Sequence, residues 1–212
     1  MEGTNRLPAS RRRRRARGAV ISGENVKFLI MCLVIITGMA VGAAVIQRGY
    51  ALYYTKGLFE DFVSLRQSQG FFTVFFSSLG SVLILLIAVF ISGLSAAGIP
   101  ISFAALIYKG LGTGLTCGYL YSSFGFNGLF FSLVIIIPHA FISSVALILA
   151  CRESCRMSAF IFSQLLPDSK YYKLWNDFKL FCRRYLIILI MSVISCFIDA
   201  LLSKLFIGVL SL

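Results

Sequence analysis

Three ionisable residues lie within long apolar stretches of this 212-residue chain: Lys109, His139 and Asp199. A charged side chain at the centre of a lipid bilayer costs roughly 2.5–3.5 kcal/mol on insertion scales, so such residues usually face a partner or a polar interior. Intramembrane Asp, His and Lys side chains form proton or ion pathways, and they also form ion pairs that hold helices in one arrangement. The residue types alone leave both kinds of site open.

The composition predicts a membrane protein. Hydrophobic residues make up 58% of the chain and charged residues 13%, and a soluble domain of this length cannot bury so much apolar surface. At about 20 residues per crossing, five apolar runs predict an all-α polytopic membrane protein with about five transmembrane helices. The predicted division is a basic cytoplasmic tail (1–25) and a transmembrane domain (26–212), with spans at about 26–47, 79–97, 99–121, 127–150 and 184–206.

The basic residues predict the orientation of the helices in the cell membrane. Arginines occupy positions 6, 11–15 and 17, and residues 151–184 hold seven further Lys or Arg, whereas residues 48–78 hold three. The positive-inside rule therefore places the N-terminus and residues 151–184 in the cytoplasm and residues 48–78 outside. We attribute the net charge of +12 to this topology signal and to contact with anionic lipid, and not to nucleic acid.

Two segments outside the predicted spans carry aromatic and charged residues. Residues 48–78 predict a helix in the headgroup layer, which is either an aromatic belt or a docking face for a partner outside the cytoplasm. Residues 170–185 predict an amphipathic helix against the inner leaflet, before the last span begins.

Polar stripes run along three of the predicted spans. They combine Lys109 with Gly112, Thr113 and Thr116, His139 with Ser132 and Ser143, and Asp199 with Ser192, Ser195 and Ser203. The third and fifth spans are predicted to be parallel, which places Asp199 within about 6 Å of Lys109 in depth. We therefore expect a Lys109–Asp199 ion pair with His139 nearby, either locking the helices together or serving transport.

Three glycines follow Lys109 at four-residue intervals: Gly110, Gly114 and Gly118. Small residues at this spacing allow another helix backbone to approach closely. They predict a helix-packing face, and they are also candidates for a partner interface within the membrane.

The motifs of known catalytic and metal sites are absent from the sequence. It contains no HExxH and no GxSxG in strand and helix context. The best candidates for a nucleophile and its base are Ser143 and His139, which stand one helical turn apart. Cys151 and Cys155 share a helix face, but no second pair or nearby histidine completes a tetrahedral site. We predict no enzyme activity, no metal and no cofactor.

The stretch from Gly98 to Ala150 resembles the core of the stage II sporulation protein M family. The residues that carry the resemblance are Gly98 and Pro100 before the third span, Lys109 and Gly110 within it, Gly114, Gly118, the turn at Asn127 and Gly128, and the pair Pro138 and His139. Arg184 and Tyr185 at the last span and Asp199 within it extend the match. The chain departs from many relatives at residues 143–145, where those relatives carry a glutamate followed by proline.

The resemblance implies a role in endospore formation. It implies a non-enzymatic scaffold in the septal membrane of the sporulating mother cell, which holds membrane-anchored peptidoglycan hydrolases (stage II sporulation proteins D and P) during forespore engulfment. The alternative is a small membrane permease or transporter subunit that uses the polar cluster.

Overall fold

The protein folds as a bundle of long helices. The structure is a computed structural model that describes residues 9–47, 70–95, 98–164 and 174–206, and within these ranges it contains no strand. The helices are α1 (Ala9–Gln47), α2 (Phe71–Gly93), α3 (Gly98–Phe131), α4 (Ile137–Gln164) and α5 (Leu174–Phe206), with a π-helical turn at Ser132–Ile136 between α3 and α4. The predicted all-α fold is confirmed.

Within the part of the chain that the structure describes, four segments are long and apolar enough to cross a membrane: Asn25–Gln47, Phe71–Gly93, Gly128–Gln164 and Trp175–Leu205. The first part of α3 is not among them, since glycines, threonines and Lys109 lower its hydropathy. It nevertheless lies beside α1, with Gly110 against Ile35 and Gly118 against Ala43. Because the residue numbers rise together in these contacts, α3 runs parallel to α1.

The helix directions alternate along the chain. Tyr185 and Asp199 of α5 bond to Leu86 and Ser78 of α2, respectively, so that these two helices are antiparallel. Contacts of α4 with α3 and α5 are antiparallel as well, as in Ser154 with Ser102 and His139 with Ser195. This is the arrangement that five successive crossings require.

The helices extend beyond several predicted boundaries. Helix α2 begins at Phe71 and ends at Gly93, where the prediction had 79–97; α4 continues to Gln164 instead of ending at 150; α5 begins at Leu174 instead of 184. The predicted surface helix at 170–185 is therefore, from Leu174 onward, the first part of α5. Hydropathy marks where a helix leaves lipid, whereas the backbone hydrogen bonds continue past that point. Residues 48–69 and 170–173 lie outside the described residues.

The reversal after α3 is made by two glycines. Gly125 has φ 57° and ψ −133°, which interrupts the helix in the left-handed region that favours glycine. Gly128 then packs on the preceding turn, where a Cβ would stand 2.1 Å from the Leu120 carbonyl oxygen. The break falls at Gly125, just before the predicted turn at 126–128, and the Asn127 side chain lies outside the described residues.

The π-helical turn ends two residues before Pro138. Proline lacks an N–H and its ring crowds the carbonyl four residues earlier, so a local widening of the helix relieves the clash. The turn orients the next residue, His139, toward α5.

Candidate functional site

A polar crevice lies between α2 and α3, with α4 and α5 behind it. Its volume is about 630 Å³, and its polar lining comes from four helices. These residues are Ser78 and Ser81 of α2, Lys109, Thr113 and Thr116 of α3, His139 of α4, and Asp199 of α5. The structure thus places the three ionisable residues singled out in the sequence in one cavity, which is hereafter called the crevice.

Asp199 is the most deeply buried charged residue of the crevice. Its side chain is 0% exposed, and the Ser78 hydroxyl donates a hydrogen bond to its Oδ2. Ser78 was missed as a site residue because the predicted second span began at 79. The sequence did contain a signal for this residue, because Ser78, Ser81 and Leu85 are three and four residues apart and therefore share one helix face.

His139 is held against α5 by Ser195. Its Nδ1 lies 3.1 Å from the Ser195 carbonyl oxygen and 3.0 Å from the Ser195 Oγ, and this Oγ lies 3.1 Å from the His139 carbonyl oxygen. All three distances are satisfied when the Nδ1–H is shared between the carbonyl oxygen and the Oγ of Ser195 and the Ser195 hydroxyl donates to the His139 carbonyl. The imidazole orientation is therefore set by α5.

Lys109 reaches the crevice from α3 and is half-buried there. On the same face, the hydroxyls of Thr113 and Thr116 donate to the carbonyl oxygens of Lys109 and Gly112, each at 2.9 Å. The structure brings Lys109 and Asp199 into one cavity, and their direct ion pair stays a prediction.

The opposite face of α3 packs tightly on α1. A Cβ would lie 2.6 Å from the Ile35 carbonyl oxygen at Gly110, 2.2 Å from that of Met39 at Gly114, and 3.0 Å from Ala43 Cα at Gly118. Only glycine permits this approach. The helix that packs on these glycines is α1 of the same chain, and their role as an interface for another protein stays a prediction.

A cluster of serines that does not line the crevice lies near the end of α2 and the start of α3. The Ser102 hydroxyl lies 3.2 Å from Ser154 Oγ, and Ser92 Oγ lies 3.4 Å from Ser154 Oγ. The Gly98 N–H donates to Ser158 Oγ at 3.3 Å, and a Cβ on Gly98 would lie 2.4 Å from the Ser92 carbonyl oxygen. Sequence reasoning missed this cluster, although Ser154 and Ser158 stand one helical turn apart.

The structure also shows why glycine and proline fit two positions of the family motif, Gly98 and Pro100. Gly98 begins α3 and has no room for a side chain. Pro100 lies in the first turn of α3, where a backbone N–H has no partner within the helix and its absence costs nothing.

An ion pair links two helices at the level of this serine cluster. Arg184 Nη1 of α5 donates to both carboxylate oxygens of Glu153 in α4, at 3.0 and 2.9 Å. The neighbouring Tyr185 hydroxyl donates to the Leu86 carbonyl oxygen of α2. Arg184 and Tyr185 therefore join α5 to both α4 and α2.

Ser143 and His139, the serine and histidine considered for an enzyme, each have a hydrogen-bond partner in the bundle. Ser143 Oγ donates to the Ala140 carbonyl oxygen at 3.2 Å, while His139 Nδ1 faces Ser195. Across residues 9–47, 70–95, 98–164 and 174–206, no three His, Cys, Asp or Glu side chains are grouped as a metal site. The crevice thus contains a lysine amine, a carboxyl group, an imidazole and hydroxyl groups.

Comparison with known proteins finds one family. The family model of stage II sporulation protein M matches residues 27–204, which include every residue that lines the crevice. No curated protein and no solved structure matches the chain.

Proposed function

The chain belongs to the stage II sporulation protein M family, and we propose that it acts in endospore formation as a non-enzymatic membrane scaffold. Its partners would be the membrane-anchored peptidoglycan hydrolases, stage II sporulation proteins D and P, in the septal membrane during forespore engulfment. The observation that carries this proposal is the family match over residues 27–204.

The hydrogen bonds between helices support a structural role for the bundle. Ser195 and His139 bond α5 to α4, and Ser78 and Asp199 bond α2 to α5. Polar pairs of this kind stabilise membrane helix packing by about 0.6 kcal/mol each on average. Groups engaged with each other in this way favour one fixed arrangement, which a scaffold needs.

The proposed orientation places the N-terminus in the cytoplasm, with the basic segments against anionic lipid. The turn around Gly125 then faces outward, where wall-remodelling partners act. Phe126 in this turn is 82% exposed. An exposed phenylalanine beside a chain reversal offers an apolar contact for a partner.

Deletion of the gene in the native host, imaged with a membrane dye through sporulation, tests the role. We expect a polar septum to form and engulfment to stop before the forespore is enclosed. Normal engulfment in the deletion strain would refute the role.

A paired substitution tests the contact with the hydrolases. Phe126→Ser should reduce co-purification of the two hydrolases with the full-length protein. Phe162→Ser is the matched control, since Phe162 is also exposed but lies near the end of α4 at the other end of the bundle. Equal recovery of hydrolases with both variants would exclude this turn as the contact.

The crevice favours a second candidate, a small permease or transporter subunit. Its volume of about 630 Å³ is in the range of small-molecule sites, and it contains Lys109, His139 and Asp199. Under this alternative, vesicles that contain the protein show solute or proton flux, and Lys109→Met abolishes it. The scaffold function requires no such flux.

A further inference from the structure

A second cavity lies between α4 and α5, toward the end of the bundle opposite Gly125. It is hereafter called the α4–α5 cleft, and its volume is about 350 Å³. Its apolar lining includes Met157 and Phe181, which are buried. Its charged lining comes from both helices: Glu153 and Arg156 of α4, and Asp177 and Arg184 of α5. The cleft therefore combines buried apolar groups with charged side chains.

The four charged side chains of the cleft differ in their partners. Arg184 donates to both carboxylate oxygens of Glu153 through Nη1, so these two charges are engaged with each other. Arg156 and Asp177 are exposed, and among the described residues neither side chain makes a hydrogen bond or an ion pair. The cleft therefore presents one guanidinium and one carboxylate that a ligand can reach.

The position of the cleft along the helices matches the head-group layer of a bilayer. Arg184 stands where the last apolar stretch begins, and Arg156 stands six residues, or about 9 Å, after Ala150, where the apolar stretch of α4 ends. The head groups lie directly outside the hydrocarbon core, which is about 30 Å thick. On α5, Ile187 is exposed one helical turn after Arg184, toward the hydrocarbon core. The cleft thus leads from the head-group layer to an apolar helix surface.

The charges of the cleft favour a ligand that carries one charge of each sign. An anion without a cation would face Asp177, and a cation without an anion would face Arg156, whereas a zwitterion complements both residues. A guanidinium offers several N–H donors in one plane, which suits the oxygens of a phosphate. A primary ammonium donates to a carboxylate.

We propose that the α4–α5 cleft binds the head group of phosphatidylethanolamine, a zwitterionic membrane lipid, with its phosphate at Arg156 and its ammonium at Asp177. The acyl chains lie along α5 past Ile187 and remain in the bilayer. This inference does not rest on the scaffold function, since lipid binding and engulfment are measured separately.

The test is native mass spectrometry of the full-length protein, titrated with phosphatidylethanolamine, phosphatidylcholine and phosphatidylglycerol of identical acyl chains. Because Arg156 and Asp177 are exposed, solvent screens each contact, and we expect one phosphatidylethanolamine to bind about threefold more tightly than either other lipid. Phosphatidylcholine carries a quaternary ammonium that cannot donate to Asp177, and phosphatidylglycerol has no cation. Equal binding of the three lipids would overturn the proposal.

Two substitutions separate the two halves of the site. Arg156→Gln should weaken the binding of all three lipids, because each of them carries the phosphate. Asp177→Asn should remove the preference for phosphatidylethanolamine, because the partner of the ammonium is lost while the phosphate contact stays. Both residues are exposed, so neither change should alter the melting temperature appreciably. An Asp177→Asn protein that retains the wild-type preference would refute the site.

Arg183→Gln is the matched control for these substitutions. Arg183 is an exposed arginine of α5 that does not line the cleft, so this variant should bind the three lipids as the wild type does. A loss of binding as large as that of Arg156→Gln would show a general attraction of arginines to lipid and would contradict a site in the cleft.

Glycerophosphoethanolamine, which is the same head group without acyl chains, identifies the source of the ligand. It should bind at least about tenfold more weakly than the lipid, because the apolar contact with α5 is lost. Binding as tight as that of the lipid would overturn the membrane as the source and support a free zwitterion from the aqueous phase.

Discussion

The carbonyl oxygen of Met39 in α1 occupies the place that a side chain on Gly114 of α3 would need. A Cβ on Gly114 would lie 2.2 Å from this oxygen, which is far inside van der Waals contact. The contact is between two backbones, so no side-chain rotation relieves it. The parallel packing of α1 and α3 therefore depends on the absence of a Cβ at position 114.

Gly114→Ala should consequently destabilise the protein by about 1–3 kcal/mol, the usual cost of forcing extra atoms into a packed interface. Gly112→Ala is the matched control on the same helix, because a Cβ there meets nothing within 4 Å and alanine favours the helix over glycine. Thermal unfolding in detergent micelles measures both. Equal melting temperatures for the two variants would contradict the α1–α3 packing.

Reversing the charges at positions 109 and 199 tests the predicted ion pair. Lys109→Asp or Asp199→Lys alone places two like charges in the crevice, so each should lower the amount of folded protein in the membrane. The double variant restores opposite charges and should recover most of the loss, since an uncompensated charge costs roughly 2.5–3.5 kcal/mol at bilayer depth. Lys204→Asp, which reverses an exposed lysine near the end of α5, should have little effect. A double variant as poor as the singles would argue against the pair.

The Arg184–Glu153 contact predicts a small, salt-sensitive coupling. Arg184 is 37% exposed and Glu153 16%, so solvent screening keeps the interaction near the range of surface pairs, about 0.2–1 kcal/mol. A double-mutant cycle with Arg184→Gln and Glu153→Gln measures this coupling, and high salt should reduce it. The same cycle with the exposed neighbour Arg183 in place of Arg184 should give a value near zero. If high salt leaves the coupling energy unchanged, solvent does not screen the pair, and the prediction is contradicted.

Cysteine labelling tests the proposed orientation. In a variant whose six cysteines are replaced by alanine, Ser123→Cys near Gly125 should react with a membrane-impermeant maleimide added outside intact cells. Ser163→Cys, near the end of α4, should react only after the membrane is opened. Both serines are exposed on the protein surface, so the side of the membrane on which each lies decides whether the reagent reaches it. The reverse pattern would place the N-terminus outside.

The interior faces of the helices could be predicted from the sequence. Ser192, Ser195, Asp199 and Ser203 recur at helical spacing, and all four are buried in the bundle. The period of the α-helix places such residues on one side, and the cost of polar groups in lipid turns that side inward. The same reasoning predicted that Lys109, His139 and Asp199 would lie near one another.

The helix ends and the packing partners could not be predicted in this way. Hydropathy placed the last span at 184–206, yet α5 begins at Leu174, and Arg184 within it bonds to Glu153 of α4. Likewise, the spacing of Gly110, Gly114 and Gly118 predicts a close helix contact but does not say which helix makes it. These features depend on groups that are distant in the sequence.

The sequence by itself determined the membrane class, the approximate helices and the polar side of each, because residue composition and the helical period are local properties. Only the tertiary structure decided that α1 fills the glycine face of α3, that Ser78 bonds to Asp199, and that a crevice remains between α2 and α3. The physical reason is that periodicity sets which side chains share a face, whereas the fit between whole helix surfaces sets which faces meet and which stay apart.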